Sequence, residues 1–189
     1  MGISPDPCHV DPRIRRTRQM LFDALEGLLR EKSFEEISVQ DLAERSTLNR
    51  ATFYDHFTDK FALLEAMIDE RFRARVFARM ESSNGTCQEG LRQLILSVCD
   101  FLSQDFASCQ KVQRQFSPLL EARIKAGVRE FLAKALRHHG ASEQQAGLLS
   151  TMAGWAICGA AFDWQREQRT SAESLADSVL PFVQPILTM

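Results

Sequence analysis

Four side chains that donate hydrogen bonds lie close together between positions 50 and 56. They are Arg50, Thr52, Tyr54 and His56, and only the arginine is firmly charged at neutral pH. Donors of these types bind phosphate oxygens and the acceptor atoms on base edges in the major groove of DNA. The residue types therefore predict nucleic-acid recognition, provided that one short helix presents them on its outer side.

The helix that must present these donors is predicted to span residues 50–57. Asn49 is a good N-cap, because its side-chain oxygen can accept a hydrogen bond from a free backbone amide of the first turn. Phe53 and Phe57 are four residues apart and therefore share one face, which would pack with Leu48 onto the preceding helix. A short helix with an aromatic inner face and an outer row of donors suits the major groove.

The preceding helix is predicted to begin at Ser38. Ser38 and Asp41 have the Ser-x-x-Asp spacing of a helix start, with a hydroxyl to cap amides and a carboxylate in the first turn. Helical spacing gives this helix a small buried face of Val39, Leu42 and Ala43. Ser46 and Thr47 then read as a turn, so the two helices form a helix-turn-helix.

Residues 42–64, LAERSTLNRATFYDHFTDKFALL, resemble the helix-turn-helix of the TetR/AcrR family of bacterial transcription regulators. The matching elements are Ala43, the step 52–54, the pair 56–57, Lys60 and the pair 63–64, and the resemblance covers about residues 12–72. The family usually has glycine in the turn, where this chain has Thr47. Because a positive φ is costly for a β-branched residue, the turn either avoids that region or is strained.

The expected contacts with DNA follow from the donors and from this resemblance. Arg50 should read a base edge, most simply that of guanine, with Ala51 and Thr52 near bases or sugars. Phosphate contacts are expected from the remaining polar positions of the motif and from the start of the first helix. The expected DNA-binding residues are Arg15, Arg16, Ser38, Asn49, Arg50, Ala51, Thr52, Tyr54, His56 and Lys60.

The net charge of −2 argues mildly against a nucleic-acid partner. Residues 1–80 hold 13 basic and 14 acidic side chains, and residues 81–189 hold 10 and 11. Positive charge must therefore be concentrated locally, and the sequence does this at Arg13, Arg15, Arg16 and Arg18, with no acid between positions 12 and 22. These cations oppose the dipole of a helix that starts at Asp11-Pro12, so they are either a solvated helix end or a phosphate site.

Helical periodicity covers the rest of the chain and predicts an all-α fold in four parts. They are a loose arm at 1–11, the helix-turn-helix head at 12–58, a connecting helix at 59–80, and a larger helical body at 81–189, for which the resemblance implies ligand binding and dimerisation. The inner stripe of the first helix is predicted as Ile14, Leu21, Leu25, Leu28 and Leu29, after which Phe34 and Ile37 plug a turn. The connecting helix has a predicted stripe of Phe61, Leu64, Met67, Ile68, Phe72 and Val76, with Arg71, Arg73, Arg75 and Arg79 exposed.

The body begins with a polar linker at 82–86, followed by helices predicted at about 88–104, 109–116, 119–139, 142–168 and 172–187. In the helix from 142, small residues recur at spacings of four and three, namely Gly147, Thr151, Gly154, Cys158 and Ala161. They allow close packing either within one chain or against a second one. The resemblance implies packing against a second chain, with the last two helices of each copy forming a four-helix bundle. The residues that the final helix would contribute to this bundle are Leu175, Val179, Phe182, Val183 and Ile186.

The resemblance also implies a cavity in the body for a small, mostly apolar molecule. Phe116, Met152 and Trp155 are predicted to line it, although large aromatic residues at helical spacing more often form a core. No catalytic motif is present, and the adjacent His138 and His139 do not make a metal-binding face. The five cysteines have no CxxC spacing and read as buried residues of a reducing compartment, with redox sensing as the lesser alternative.

Together with the resemblance, these patterns lead to the hypothesis of a ligand-responsive transcriptional repressor that binds a palindromic operator as a homodimer. We expect a cytoplasmic protein with no signal peptide, membrane span, cofactor, metal or enzymatic activity. Three alternatives stay open: a dimeric regulator without an effector, an activator, and a helical enzyme or binding protein in which the motif is incidental.

Overall fold

The structure, a computed structural model, describes residues 11–81, 87–105, 117–167 and 170–187. All regular structure within these ranges is helical, which confirms the all-α class. A π-helical segment, Phe101–Asp105, follows the fifth helix, and none of the described helices is both long and apolar enough to span a membrane. The helices are α1 (Pro12–Glu31), α2 (Val39–Ser46), α3 (Arg50–His56), α4 (Lys60–Glu81), α5 (Cys87–Asp100), α6 (Ser117–His138), α7 (Glu143–Glu167) and α8 (Ala172–Leu187).

Several predicted features lie outside the described residues. They are the arm at 1–10, the linker at 82–86 and the helix at 109–116. Phe116, predicted to line a ligand cavity, is also among them.

The chain divides into two compact units, Met1–Met67 and Ile68–Met189. The division falls inside the predicted connecting helix, because α4 begins in the first unit and ends in the second. The first unit holds α1 to α3, and the second holds α5 to α8.

The core of the first unit is built on the inner face of α1. The helix starts as predicted, with the Arg13 amide donating to Asp11 Oδ1 at 2.8 Å and proline in the first turn. Leu21, Leu25, Leu28 and Leu29 are buried, and so are the turn residues Phe34 and Ile37. Ile14 is 43% exposed, so its place in the predicted stripe is wrong: the buried face begins at Leu21.

A capping box starts α2, as the Ser-x-x-Asp spacing predicted. The Asp41 amide donates to Ser38 Oγ at 3.1 Å, and the Ser38 amide donates to Asp41 Oδ2 at 2.7 Å. The Asp41 carboxylate also pairs with Lys32 at 2.9 Å. The Lys32 ammonium, and then the two hydrogen bonds from Ser38, hold the pKa of Asp41 well below its usual range.

A carboxyl whose pKa is lowered by folding stabilises the protein above its unfolded pKa, and this contribution is lost as the pH falls through the folded pKa. We therefore expect Asp41→Asn to be less stable than the parent protein by a constant amount between about pH 5 and pH 8. The difference should shrink below about pH 4, the unfolded pKa of aspartate. Urea unfolding of both proteins across this range measures it, and a pH-independent difference would contradict the assignment.

The turn between α2 and α3 does not avoid the positive-φ region and is therefore strained, which is one of the two alternatives that the sequence left open. Thr47 has φ 57° and ψ 26°, and among the described residues it alone combines a side chain with a positive φ. The Leu48 amide donates to the Ala43 carbonyl at 3.0 Å and the Thr47 amide to that of Glu44 at 3.1 Å, which is the Schellman pattern. A left-handed residue is required here, and threonine meets that requirement at a steric cost.

We expect Thr47→Gly to stabilise the protein by about 0.5–1 kcal/mol. Relief of left-handed strain gains about 1–2 kcal/mol, and the extra freedom of glycine in the unfolded chain returns about half of it. Thr47→Asn should also be tolerated, whereas Thr47→Val should be destabilising, because valine keeps the branched Cβ and loses the hydroxyl. Urea unfolding of the three variants provides the measurement, and destabilisation by glycine would show that the turn is not strained.

The connecting helix α4 departs from its predicted stripe at two places. In the first unit, Leu63 is fully buried and Phe61 is 49% exposed, so the predicted inner position of Phe61 is wrong. In the second unit, Phe72 and Val76 are buried as predicted, but Arg79 is not a free surface residue. Its guanidinium binds Asp100 Oδ2 at 2.7 Å through Nε, so it ties α4 to α5.

The second unit is held together by close helix packing around α6. A Cβ built on Gly127 of α6 would lie 2.8 Å from the Phe72 ring, so the missing side chain lets that ring touch the α6 backbone. Gly154, Cys158 and Ala161 of α7 are buried, and a Cβ on Gly154 would lie 3.7 Å from Val128 of α6. The inner part of the small-residue stripe therefore packs within the chain.

Candidate functional site

The rotation of α3 is fixed by two buried aromatic rings. Phe53 is fully buried and Phe57 is 5% exposed. Their ring centroids lie 6.1 Å apart, and Phe22 of α1 lies 6.1 Å from Phe57. The predicted inner face of the helix is confirmed.

The opposite side of α3 is open in part. Of the four donors predicted to face outward, Arg50 and Tyr54 are exposed, Tyr54 to 50%, whereas Thr52 and His56 are half-buried, and the His56 ring centroid lies 6.4 Å from that of Phe57. Ala51 is also exposed. The Tyr54 ring packs at 88° on the Phe53 ring with centroids 5.4 Å apart. This contact limits where the phenol can lie while leaving half of the side chain accessible.

The first turn of α3 is closed by Asn49, the predicted N-cap. Asn49 Oδ1 accepts from the Thr52 amide at 2.7 Å and from the Thr52 hydroxyl at 3.0 Å. Both acceptor sites of that oxygen are therefore used within the protein. The cap orders the start of the helix, where Arg50 and Ala51 are exposed.

Unpaired cations collect at the starts of α1 and α3. Arg13, Arg15, Arg16 and Arg50 are exposed, and none makes an ion pair with a described residue. Three other basic residues of the first unit have acidic partners: Arg30 with Glu26, Lys32 with Asp41, and Arg45 with Glu31.

Arg18 behaves differently from the rest of the α1 arginine cluster. Its guanidinium lies 4.8 Å from the centroid of the Phe57 ring and 5.5 Å from that of Phe22. It therefore braces α1 against the end of α3 by cation–π contact. The sequence analysis did not find this role, because no local pattern links positions 18 and 57.

Lys60 has an internal role that the sequence analysis also missed. Its Nζ donates to the carbonyl oxygens of Phe34 at 2.9 Å, Glu35 at 2.9 Å and Ile37 at 2.7 Å. These bonds use all three ammonium protons and tie the start of α4 to the turn before α2. The predicted phosphate contact of Lys60 stays a prediction, and it would require one of these bonds to be given up.

We expect Lys60→Met to lower the free energy of unfolding by about 2–3 kcal/mol, because it leaves three carbonyls, two of them in partly buried hydrogen bonds, without their charged donor. Arg30→Ala is the control in the same unit, since it removes only an exposed i,i+4 pair worth about 0.3–0.5 kcal/mol. Urea unfolding compares the two. Equal effects of both substitutions would show that the three bonds do not stabilise the head.

Two cavities lie in the second unit. The charged cavity, of about 200 Å³, is lined by Asp69, Phe72, Arg73, Arg123, Glu130 and Lys134, among others. The apolar cavity, of about 380 Å³, is lined by Gly90, Leu91, Leu132, Leu136, His139 and Leu187, among others.

The two described residues that were predicted to contact a ligand are not in these linings. Met152 is 49% exposed and Trp155 is 68% exposed on the outer face of α7, where Lys125 of α6 lies 5.4 Å from the tryptophan ring. Phe116 lies outside the described residues. Their role in ligand binding stays a prediction.

The two described thiols are poorly suited to redox chemistry. Cys99 and Cys158 are fully buried, and burial raises the pKa of each to about 12, so neither forms a thiolate readily. Among the described residues, no three His, Cys, Asp or Glu side chains are grouped closely enough to hold a metal ion.

Comparison with known proteins identifies the helix-turn-helix segment. The family model described as bacterial regulatory proteins, tetR family, matches residues 21–67. The uncharacterized HTH-type transcriptional regulator YxbF of Bacillus subtilis (strain 168) is 42% identical over 60 residues. That match spans 31% of this chain but only 16% of the length of YxbF.

Solved structures extend the likeness to the whole fold. A TetR transcriptional regulator from Streptococcus agalactiae 2603V has a TM-score of 0.59 at 21% identity, covering 92% of this chain and 96% of that one. The transcriptional regulator FadR from Bacillus subtilis, in complex with stearoyl-CoA, has a TM-score of 0.54 at 17% identity, covering 87% and 96%. At these identities the likeness is one of fold.

Proposed function

We propose that this chain is a DNA-binding transcription regulator, since its residues 21–67 match the model of the tetR family of bacterial regulatory proteins. The observation that carries this proposal is the outer side of α3, where exposed Arg50 stands beside the Tyr54 and His56 donors over buried phenylalanines. With the unpaired arginines of α1, this surface has the positive charge that a chain of net charge −2 lacks on average.

In this proposal Arg50 reads a base edge, because its exposed fork can donate two parallel bonds to guanine. Ala51 and Thr52 lie near bases or sugars. Phosphate oxygens are bound by Arg15, Arg16, Tyr54 and His56, and by Lys60 once it gives up one of its three internal hydrogen bonds. Ser38 and Asn49 contribute chiefly as helix caps, since their side-chain oxygens are already engaged.

We expect Arg50→Ala to weaken binding to the preferred operator by about 1–3 kcal/mol and to relax the base preference at one position of each half-site. Arg30→Ala, which removes an exposed arginine at the other end of α1, is the matched control and should leave affinity nearly unchanged. The operator is first selected from a random DNA pool, and affinity is then measured at several salt concentrations. Unchanged affinity and preference in Arg50→Ala would remove α3 as the reading helix.

The protein is further proposed to act as a homodimer on a palindromic site. Leu148, Met152 and Trp155 of α7 follow one another at spacings of four and three, and all three are exposed. Phe182 of α8 is 77% exposed as well. A stripe of large apolar residues on a helix indicates a face that is covered by a partner, and the fold's relatives make a second copy the first choice.

We expect Trp155→Asp to shift the protein toward the monomer, because it places a charge in the covered face. Phe77→Asp is the control, since Phe77 is 64% exposed on α4, outside that face. Sedimentation velocity over a range of concentrations distinguishes the species. A Trp155→Asp protein that still sediments as the parent dimer would exclude α7 from the interface.

Repression released by a small, mostly apolar molecule completes the proposal. The FadR structure with stearoyl-CoA supports it only by fold, since that ligand belongs to that protein. In this chain, α4 starts at Lys60 of the motif and its later turns line the charged cavity. An occupant that binds one arrangement of α4 better than another would change DNA affinity by that difference.

A further inference from the structure

The charged and the apolar cavities of the second unit share one wall. Phe131 of α6 is in the lining of both, with Glu130 and Lys134 on its charged side and Leu132 and Leu136 on its apolar side. The two cavities adjoin at Phe131 and together form a site with two compartments. We propose that this site binds an amphipathic anion, with its apolar chain in one compartment and its anionic group in the other.

The apolar compartment has the size and chemistry for a hydrocarbon chain. Its volume of about 380 Å³ lies in the ~300–1,000 Å³ range of ligand pockets. Within its described lining, His139 is the only polar side chain. At ~30 Å³ for a group the size of a water molecule, the space holds on the order of ten methylene groups.

The charged compartment carries more positive charge than its own acids neutralise. Arg123 donates from Nε and Nη2 to the two carboxylate oxygens of Asp69, so this pair is satisfied within the protein. Arg73 and Lys134 make no ion pair with a described residue, although Glu130 lies one turn before Lys134. The two cations can therefore bind an incoming anion without losing an existing partner.

The size of the charged compartment sets the class of head group. A volume of about 200 Å³ suits a compact anion such as a carboxylate or a phosphate. Arg73 and Lys134 are exposed, and without the adjoining apolar compartment they would be ordinary solvated surface residues. The adjoining apolar compartment is what favours a ligand with both a chain and an anion, and the inference rests on the ligand response proposed above.

Direct binding to the full-length protein tests the site without DNA. Calorimetry is performed below the micelle concentration with decanoate, decyl phosphate, decanol and decylammonium, which share a chain and differ in the head. Decanoate or decyl phosphate should bind at least about tenfold more tightly than decanol, and decylammonium should bind most weakly. The better of the two anions identifies the head group, whereas equal affinity for all four ligands would overturn the anionic assignment.

Two substitutions separate the compartments. Lys134→Ala should weaken anion binding about five- to tenfold and leave decanol binding unchanged. The control is Arg129→Ala, which removes an exposed arginine of the same helix outside both linings and should change neither.

Gly90→Leu should abolish binding of all four ligands, because a Cβ there meets no atom within 4 Å and the added side chain can enter the apolar compartment. Leucine also favours the helix, so the variant should fold.

The outcomes distinguish this site from the proposed function. If no probe binds while the protein still shifts its selected DNA, the site is refuted and the regulator stands. If anions bind, and Gly90→Leu removes that binding, but DNA retention never changes, the site stands and the ligand response fails. Retention of decanoate binding by Gly90→Leu would show that the anion lies elsewhere.

Discussion

The packing of Phe57 against Phe53 and Phe22 is the contact on which the head depends. Rings buried on one side of a seven-residue helix leave it a single rotation, and that rotation decides which side chains reach solvent. The Arg18 guanidinium extends the cluster by stacking on two of its rings. A helix this short has little stability of its own, so its order comes from these tertiary contacts and from the Asn49 cap.

Local pairing decides where this acidic chain has usable positive charge. Three basic residues of the head, Arg30, Lys32 and Arg45, have acidic partners, whereas the exposed arginines at the starts of α1 and α3 have none among the described residues. The same distinction recurs in the second unit, where Arg123 is paired and Arg73 and Lys134 are not. Counting charges along the chain cannot reveal this, because pairing is a property of the fold.

Helices were predictable from the sequence because their signals are local. Caps at Ser38 and Asn49, a Pro after Asp11 and regular apolar spacing set the helix boundaries to within a few residues. The sequence could not tell which of Phe61 and Leu63 is buried, because both are apolar and the choice depends on what packs against the helix. The cavities, the three hydrogen bonds of Lys60 and the exposure of Trp155 could not be predicted, because they depend on contacts between distant segments.

The π-helical segment at Phe101–Asp105 has a consequence for how the chain can vary. A π turn holds one more residue than an α turn, and here both Phe101 and Leu102 point into the core, with the Phe101 ring on that of Phe72. Deleting one residue from this turn would let it relax to α geometry without altering the phase of α5. Related chains can therefore differ in length by one residue at this point while keeping the same scaffold.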